Sequence, residues 1–274
     1  MNQTVVRSRP PPAPATNGHP SFEPQDSSQS PRRQTSSSVR RTALAAGVLY
    51  MLTFVSVPTL FLYGPVKGAN YILGLGPDTN VIIGVLLEMI VALAGIGTAA
   101  ALFPVLKRQN EGVALGFVGV RALEAAATVA GVVMLMTVVG LRQAGAGAGA
   151  LPIAHTLVGM YNHSFLLGQS TMPIVDDLLL GFLLYQSRLV PRVLPALAFI
   201  GAPLLLASNV GVLFSLWGQF SALGTLPALP IALFEFSLGI YLIVKGFKPS
   251  GIRTLYGREA RADNTVHVPA ATLA

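Results

Sequence analysis

Six blocks of about twenty apolar residues, separated by short polar or glycine-rich segments, constrain this chain more than anything else in it. At 1.5 Å per residue, a helix needs about twenty such residues to cross ~30 Å of hydrocarbon. The blocks fall at residues 42–63, 80–104, 113–138, 164–187, 193–216 and 226–246. Composition agrees: 52% of residues are hydrophobic and 11% charged, against about 25% charged in a soluble domain. Lipid offers the backbone no hydrogen-bond partner, so each block has to satisfy its own amides and carbonyls. The pattern predicts an all-α, polytopic transmembrane helix bundle of six spans.

Charge sets an expected topology. With the N-terminus in the cytoplasm, fifteen of the eighteen Lys and Arg residues fall in inner segments, and only Lys67 and Arg142 in outer ones. Such an asymmetry predicts cytoplasmic N- and C-termini in the cytoplasmic membrane. Residues 1–41 form a basic Pro/Ser-rich segment with too few large apolar side chains to offset the entropy of ordering, so a disordered cytoplasmic tail is expected. Residues 42–248 then form the membrane domain, and 249–274 a short basic cytoplasmic tail. The net charge of +7 sits at span ends and in tails, where it favours membrane lipids as partners. No basic–aromatic surface for nucleic acid is present. The chain has no cysteine, which excludes disulfides, thiolate metal sites and cysteine nucleophiles. No Gly-rich phosphate loop, dinucleotide fingerprint or serine elbow is found, and no cofactor is expected.

The spans carry ionisable residues that a lipid-facing helix would not keep: Glu88, Arg121, Glu124, Asp176, Asp177 and Glu235. Each costs roughly 2.5–3.5 kcal/mol near the bilayer centre even on a lenient insertion scale, so all are expected to face the bundle interior. Arg121 and Glu124 are three residues apart and can pair on one helix face. Five carboxylates against one arginine leave an acid excess that protons or a cation must offset.

The fourth span adds a polar stripe. His155, Asn162, Gln169 and Asp176 recur at intervals of seven, as do His163, Ser170 and Asp177 one position along. On an uninterrupted helix both rows lie on one side, toward protein. Pro173 predicts a kink near 169–173, with Ser170 or Thr171 capping a restarted helix and an interfacial helix at 153–163 before it. Gly112 with Gly116, Gly119 with Ala122, Ala126 and Ala130, and Gly95 with Ala99 follow spacings that permit close helix approach. Asn209 is expected in an interhelical hydrogen bond. Tyr50, Tyr63, Tyr71, Tyr241 and Trp217 read as interfacial anchors.

These features support three readings. The first is a polar, acid-rich intramembrane core of Arg121, Glu124, Asp176, Asp177, Glu235, Gln169 and Glu88 that binds or passes a small polar solute, a cation or protons. The second is a non-catalytic scaffold or regulatory protein whose buried charges only fix helix register. The third is a metal-dependent membrane hydrolase, which requires a fold-back bringing His155 or His163 to the aspartates.

RTALAAGVLYMLTFVSV at the first span, GFVGVRALEAAATV in the third and LLLGFLLYQSRLVPRVLPALAFIGAPLLL across the fourth and fifth resemble the bacterial family catalogued as domain of unknown function 4386. The resemblance covers residues 42–248. Its most specific parts are Arg121-x-x-Glu124 and the motif holding Gly181, Leu183, Tyr185, Ser187, Pro191 and Arg192. It implies a multi-span bacterial membrane protein without an assigned activity, and lends no catalytic residues. Asp176-Asp177 after Pro173 departs from the family pattern, in which apolar or small residues precede the glycine.

Overall fold

A computed structural model describes the backbone of residues 31–266 and the side chains of residues 37–257. Residues 1–30, most of the tail expected to be disordered, lie outside the described residues. The described chain is helical throughout, with ten α-helices: α1 (Pro31–Thr53), α2 (Thr59–Leu62), α3 (Thr79–Leu106), α4 (Glu111–Gln143), α5 (Leu151–Ser164), α6 (Met172–Ser187), α7 (Val193–Leu213), α8 (Ala222–Thr225), α9 (Leu229–Val244) and α10 (Pro249–Val266). Six stretches are long and apolar enough to cross a membrane: Ser37–Leu62, Thr79–Leu106, Glu111–Gln143, Ala148–Ser187, Val193–Leu213 and Ala222–Val244. Each overlaps one predicted span, and the protein is a multi-pass membrane protein. The helix expected to start at residue 42 begins at Pro31, so residues 31–41 are helix.

The spanning helices close a ring. Helix α1 packs on α3, α3 on α4, α4 on α6, α6 on α7, α7 on α9, and α9 returns to α1. The outside is aliphatic, with Leu86, Leu93, Leu115, Ile200 and Leu233 all more than half exposed, as suits contact with acyl chains. Inside, two apolar clusters divide the depth. Leu102, Leu106, Phe117, Leu183, Phe234 and Leu242 fill the end near the termini. Tyr63, Val81, Leu135, Val138 and Tyr161 fill the opposite end. The buried charges lie between them.

At the termini end, Arg40 of α1 donates from Nη1 to Leu242 O (2.9 Å) and from Nη2 to Ile243 O (2.6 Å). These are last-turn carbonyls of α9, which have no intrahelical donor. Part of the expected C-terminal tail also packs: Leu255 of α10 is fully buried, and the Arg108 guanidinium stacks 4.1 Å over the Tyr256 ring. Close approach occurs where α1 meets α9. A Cβ on Gly47 would lie 2.7 Å from Gly239 O. The small-residue rows singled out from spacing do not work this way. Gly119, Ala122, Ala126 and Ala130 are exposed on the outward face of α4, and a Cβ on Gly95 or Gly119 would meet nothing within 4 Å.

Three spans are interrupted, the last by a 3-10 turn, Leu226–Ala228, between α8 and α9. The first was expected to be one helix, but it breaks after Thr53 into a 3-10 turn, Phe54–Ser56, and then α2. Pro58 lacks the donor a continuous helix needs. Three hydroxyls also turn back on main-chain carbonyls: Thr53 to Tyr50 O (2.7 Å), Ser56 to Thr53 O (3.2 Å) and Thr59 to Ser56 O (2.7 Å).

The second interruption is a π-helical segment, Phe165–Ser170, between α5 and α6, in place of the simple proline kink predicted at 169–173. Neither expected cap forms. Ser170 donates to Asn209 Oδ1 (2.9 Å), while Thr171 donates to Leu166 O (2.8 Å) and accepts from Asn209 Nδ2 (3.1 Å). Asn209 thus makes the interhelical bond expected of it. The extra residue in the π turn rotates everything before it by about 100° relative to α6. Consequently the heptad rows do not share one face: Asp176 and Asp177 are fully buried, whereas His155 and His163 are exposed.

The end opposite the termini is closed by a polar clamp. Arg142 binds Asp78 Oδ1 (2.8 Å) and Gly74 O (3.1 Å) and lies 4.7 Å from the Tyr71 ring centroid. The Tyr71 hydroxyl donates to the same Asp78 oxygen at 2.5 Å, so this tyrosine is more than an anchor. The Tyr71 hydrogen bond, then that of Gln143 and the charge of Arg142, hold the Asp78 carboxyl below its ordinary range against an opposing effect of burial. A depressed folded-state value means that this stabilisation is present above the ordinary aspartate range, about 3.9, and is lost as pH falls through the lower folded value. Amide-exchange protection factors across residues 71–78 should therefore fall on acidification below that range. Arg142→Ala should lower them at neutral pH and flatten the pH profile.

Candidate functional site

Arg121 lies ten residues into α4, Asp176 eleven residues before the end of α6, and Glu235 nine before the end of α9. At 1.5 Å per residue all three sit about 14–17 Å from the termini end, near the middle of a ~30 Å hydrocarbon layer. Asn110 starts α4, its side chain accepting from Val113 N, and the 33-residue helix then carries Arg121 to that depth without interruption.

The guanidinium is 3% exposed and engaged on every side. Its Nη1 meets Glu124 Oε2 at 3.0 Å, its Nη2 meets Glu235 Oε1 at 2.5 Å, and its Nε lies 2.5 Å from Asp176 Oδ2. Nη2 also donates to the Tyr50 hydroxyl at 3.3 Å. Phe117 and Tyr50 cover it, with ring centroids 6.0 and 5.5 Å away. A planar fork of five donors suits this arrangement; a lysine ammonium does not. One side chain thereby ties together α1, α4, α6 and α9.

The four predicted residues Arg121, Glu124, Asp176 and Glu235 thus meet directly. Asp177 lies beside them within electrostatic reach of Glu235, Asp176 and Arg121. It is fully buried, and neither of its oxygens has a hydrogen-bond partner among the described residues; Asp176 Oδ1 is in the same position. With every group ionised, four carboxylates around one guanidinium leave three negative charges uncompensated.

Glu88 does not join this cluster. It is buried toward the opposite end, where Oε1 accepts from the Tyr161 hydroxyl at 2.9 Å. Tyr63 stands edge-on to Tyr161 at 5.5 Å. Lys67 lies 4.6 Å from the centroids of both Tyr161 and Phe220, close enough to act on Glu88 electrostatically. Tyr50 and Tyr63, read from sequence as interfacial anchors, are both fully buried partners of these charges. Trp217 folds its ring back against Gly211.

A cavity of about 310 Å³ opens between the two clusters. Its wall combines the break in the first span (Thr53, Ser56, Thr59), the π segment (Phe165, Gln169), and Arg121, Glu124 and Glu235. Gln169 also acts on Glu88, placing its amide between the two acidic regions. Glu124 and Glu235 are each 15% exposed, while Asp176 and Asp177 sit behind the wall. Sequence reasoning missed Tyr50 and the hydroxyls of the broken first span; the signal was Thr53-x-x-Ser56-x-Pro58, a polar proline-containing stretch inside an apolar block.

The histidines take no part. His163 Nδ1 bonds Gly159 O on its own helix (2.8 Å), and His155 Nε2 bonds Ala69 O (2.7 Å). Among the described residues no group of three or more His, Cys, Asp or Glu is placed to hold a metal ion. The fold-back required for a metal hydrolase does not occur.

A ring of six apolar helices around one buried ionic hub defines a polytopic α-helical membrane protein. The chain belongs to the family described as Domain of unknown function (DUF4386), whose model matches residues 45–246. Neither the curated proteins nor the solved structures contain a significant match.

Removing the hub should be severe, because it strands three carboxylates at mid-depth. Arg121→Met should cost about 3–5 kcal/mol, read as lost unfolding stability in detergent. Arg121→Lys should recover only part of it. Tyr50→Phe keeps the ring and removes one acceptor, and should cost about 0.5–1.5 kcal/mol.

Proposed function

We propose that the mid-depth cavity is a binding site for a small polar solute or cation. In this reading the protein resides in the cytoplasmic membrane with both termini in the cytoplasm, as its basic-residue asymmetry favours. The observation carrying the proposal is the position of Glu124 and Glu235. Each gives one oxygen to Arg121 and borders the cavity, in a cluster that with every group ionised would lack three positive charges. A purely structural network would pair its charges and fill its centre. This one leaves Asp177 without a hydrogen-bond partner and a cavity of about 310 Å³ beside the ion pairs.

The natural absence of cysteine makes the test direct. Ala125→Cys, on the cavity wall, and Ala202→Cys, in the packed core between helices, are treated in membrane vesicles with a small water-soluble methanethiosulfonate. The cavity thiol should react at least about tenfold faster, since reactivity follows exposure. Equal, slow labelling at both positions would sink the proposal.

A further inference from the structure

We infer that the cavity is selective for an organic ammonium ion, an amine carried on a small apolar body, and rejects anions. This rests on the solute-binding reading above and adds the chemical class of the solute.

The first argument is the donor count of the wall. Arg121, its cation, has Nη1, Nη2 and Nε all turned to carboxylates. An anion entering the cavity would meet a guanidinium already charge-compensated by three carboxylates. The hydroxyls are spent in the same sense. Thr53, Ser56 and Thr59 donate their protons to main-chain carbonyls, and Thr128 donates to Glu124 O at 3.0 Å. What they present to the cavity is oxygen lone pairs. Together with the second oxygens of Glu124 and Glu235 this makes a wall rich in acceptors, on which Gln169 supplies the amide donor. A ligand complementary to it carries several N–H donors and positive charge.

The lining does not suit a bare metal ion. Among the described residues no group of three or more His, Cys, Asp or Glu is placed to hold a metal ion. The cavity is also too large for one ion: about 310 Å³ compares with roughly 30 Å³ per water in the liquid. The rest of the lining is apolar, including Leu60 and Val91, and two rings, Phe54 and Phe165, face the same space. Aromatic faces attract ammonium groups, and an apolar body would dry the aliphatic wall.

The test uses full-length protein in lipid nanodiscs and three probes of one shape: 2-phenylethylammonium, neutral 2-phenylethanol and anionic 3-phenylpropionate. Equilibrium dialysis should show saturable binding of the amine at least about tenfold tighter than of either analogue. Glu124→Gln and Glu235→Gln should each weaken it by about tenfold or more, as loss of one partner of a buried charge pair does. Those variants could disturb the hub, so Gly95→Leu provides a second arm. A Cβ there meets nothing within 4 Å, Gly95 lies on the cavity wall, and the substitution leaves every charge in place. It should abolish amine binding in a protein of unchanged helicity. Equal or tighter binding of the anion, or amine binding indifferent to Gly95→Leu, overturns the inference. If no probe binds although Ala125→Cys is labelled, the amine class is wrong and the solute cavity stands. If Ala125→Cys is not labelled either, both fall.

Discussion

Desolvation of a single guanidinium governs this bundle. Arg121 sits buried at mid-depth, where an unpaired charge costs several kcal/mol, so it must be surrounded by acceptors. Those acceptors come from α4 itself, from α6 and from α9, with the Tyr50 hydroxyl added from α1. Hydrophobic burial cannot draw helices together in lipid, because acyl chains are as apolar as leucine. The ionic hub supplies the directional constraint that greasy packing lacks. Close contacts such as Gly47 on Gly239 then let α1 and α9 approach to the distance the hub requires.

The interruptions of the first and fourth spans both border the cavity, and they share a cause. In the first, hydroxyls and Pro58 divert main-chain bonding; in the fourth, Thr171 and Pro173 do so, and the chain absorbs the mismatch as a π turn. Irregular backbone is tolerated in a membrane only where it is covered by protein or lines a cavity. Here Thr53–Leu60 and Phe165–Pro173 line the same cavity from two sides. The void is therefore a consequence of two local departures from helix geometry at one depth.

The six spans were legible because hydropathy over twenty residues does not depend on how helices rotate. The Arg121–Glu124 pair was legible because three residues along a helix fix its geometry. Asp176 and Glu235 could be assigned to the same site by charge balance and depth. Rotation and local register were not legible. The π turn moved His155 and His163 out of the row that holds Asp176, and nothing in a seven-residue spacing reveals an inserted residue. Glu88 falls outside the hub, and its partners, Tyr161 and Lys67, come from segments whose approach only the fold determines. Small-residue rows report which faces could come close, not whether a neighbour is there. Hence the row Gly119, Ala122, Ala126 and Ala130 faces outward, while single glycines on α1 and α9 make the contact.

The distribution of the acids argues against their being incidental. Glu124 and Glu235 line the cavity, whereas Asp176 and Asp177 lie behind Arg121 in the packed part of the ring. A cluster serving helix register alone would be stabilised by replacing Asp177 with an apolar residue, since its oxygens form no hydrogen bond and burial penalises its charge. Its presence makes the cluster more acidic than pairing requires, beside a cavity lined by two of the same acids. Arg121 takes one oxygen of each of the two glutamates that line the cavity. The same guanidinium that holds the helices together thus fixes the direction in which the remaining negative potential points.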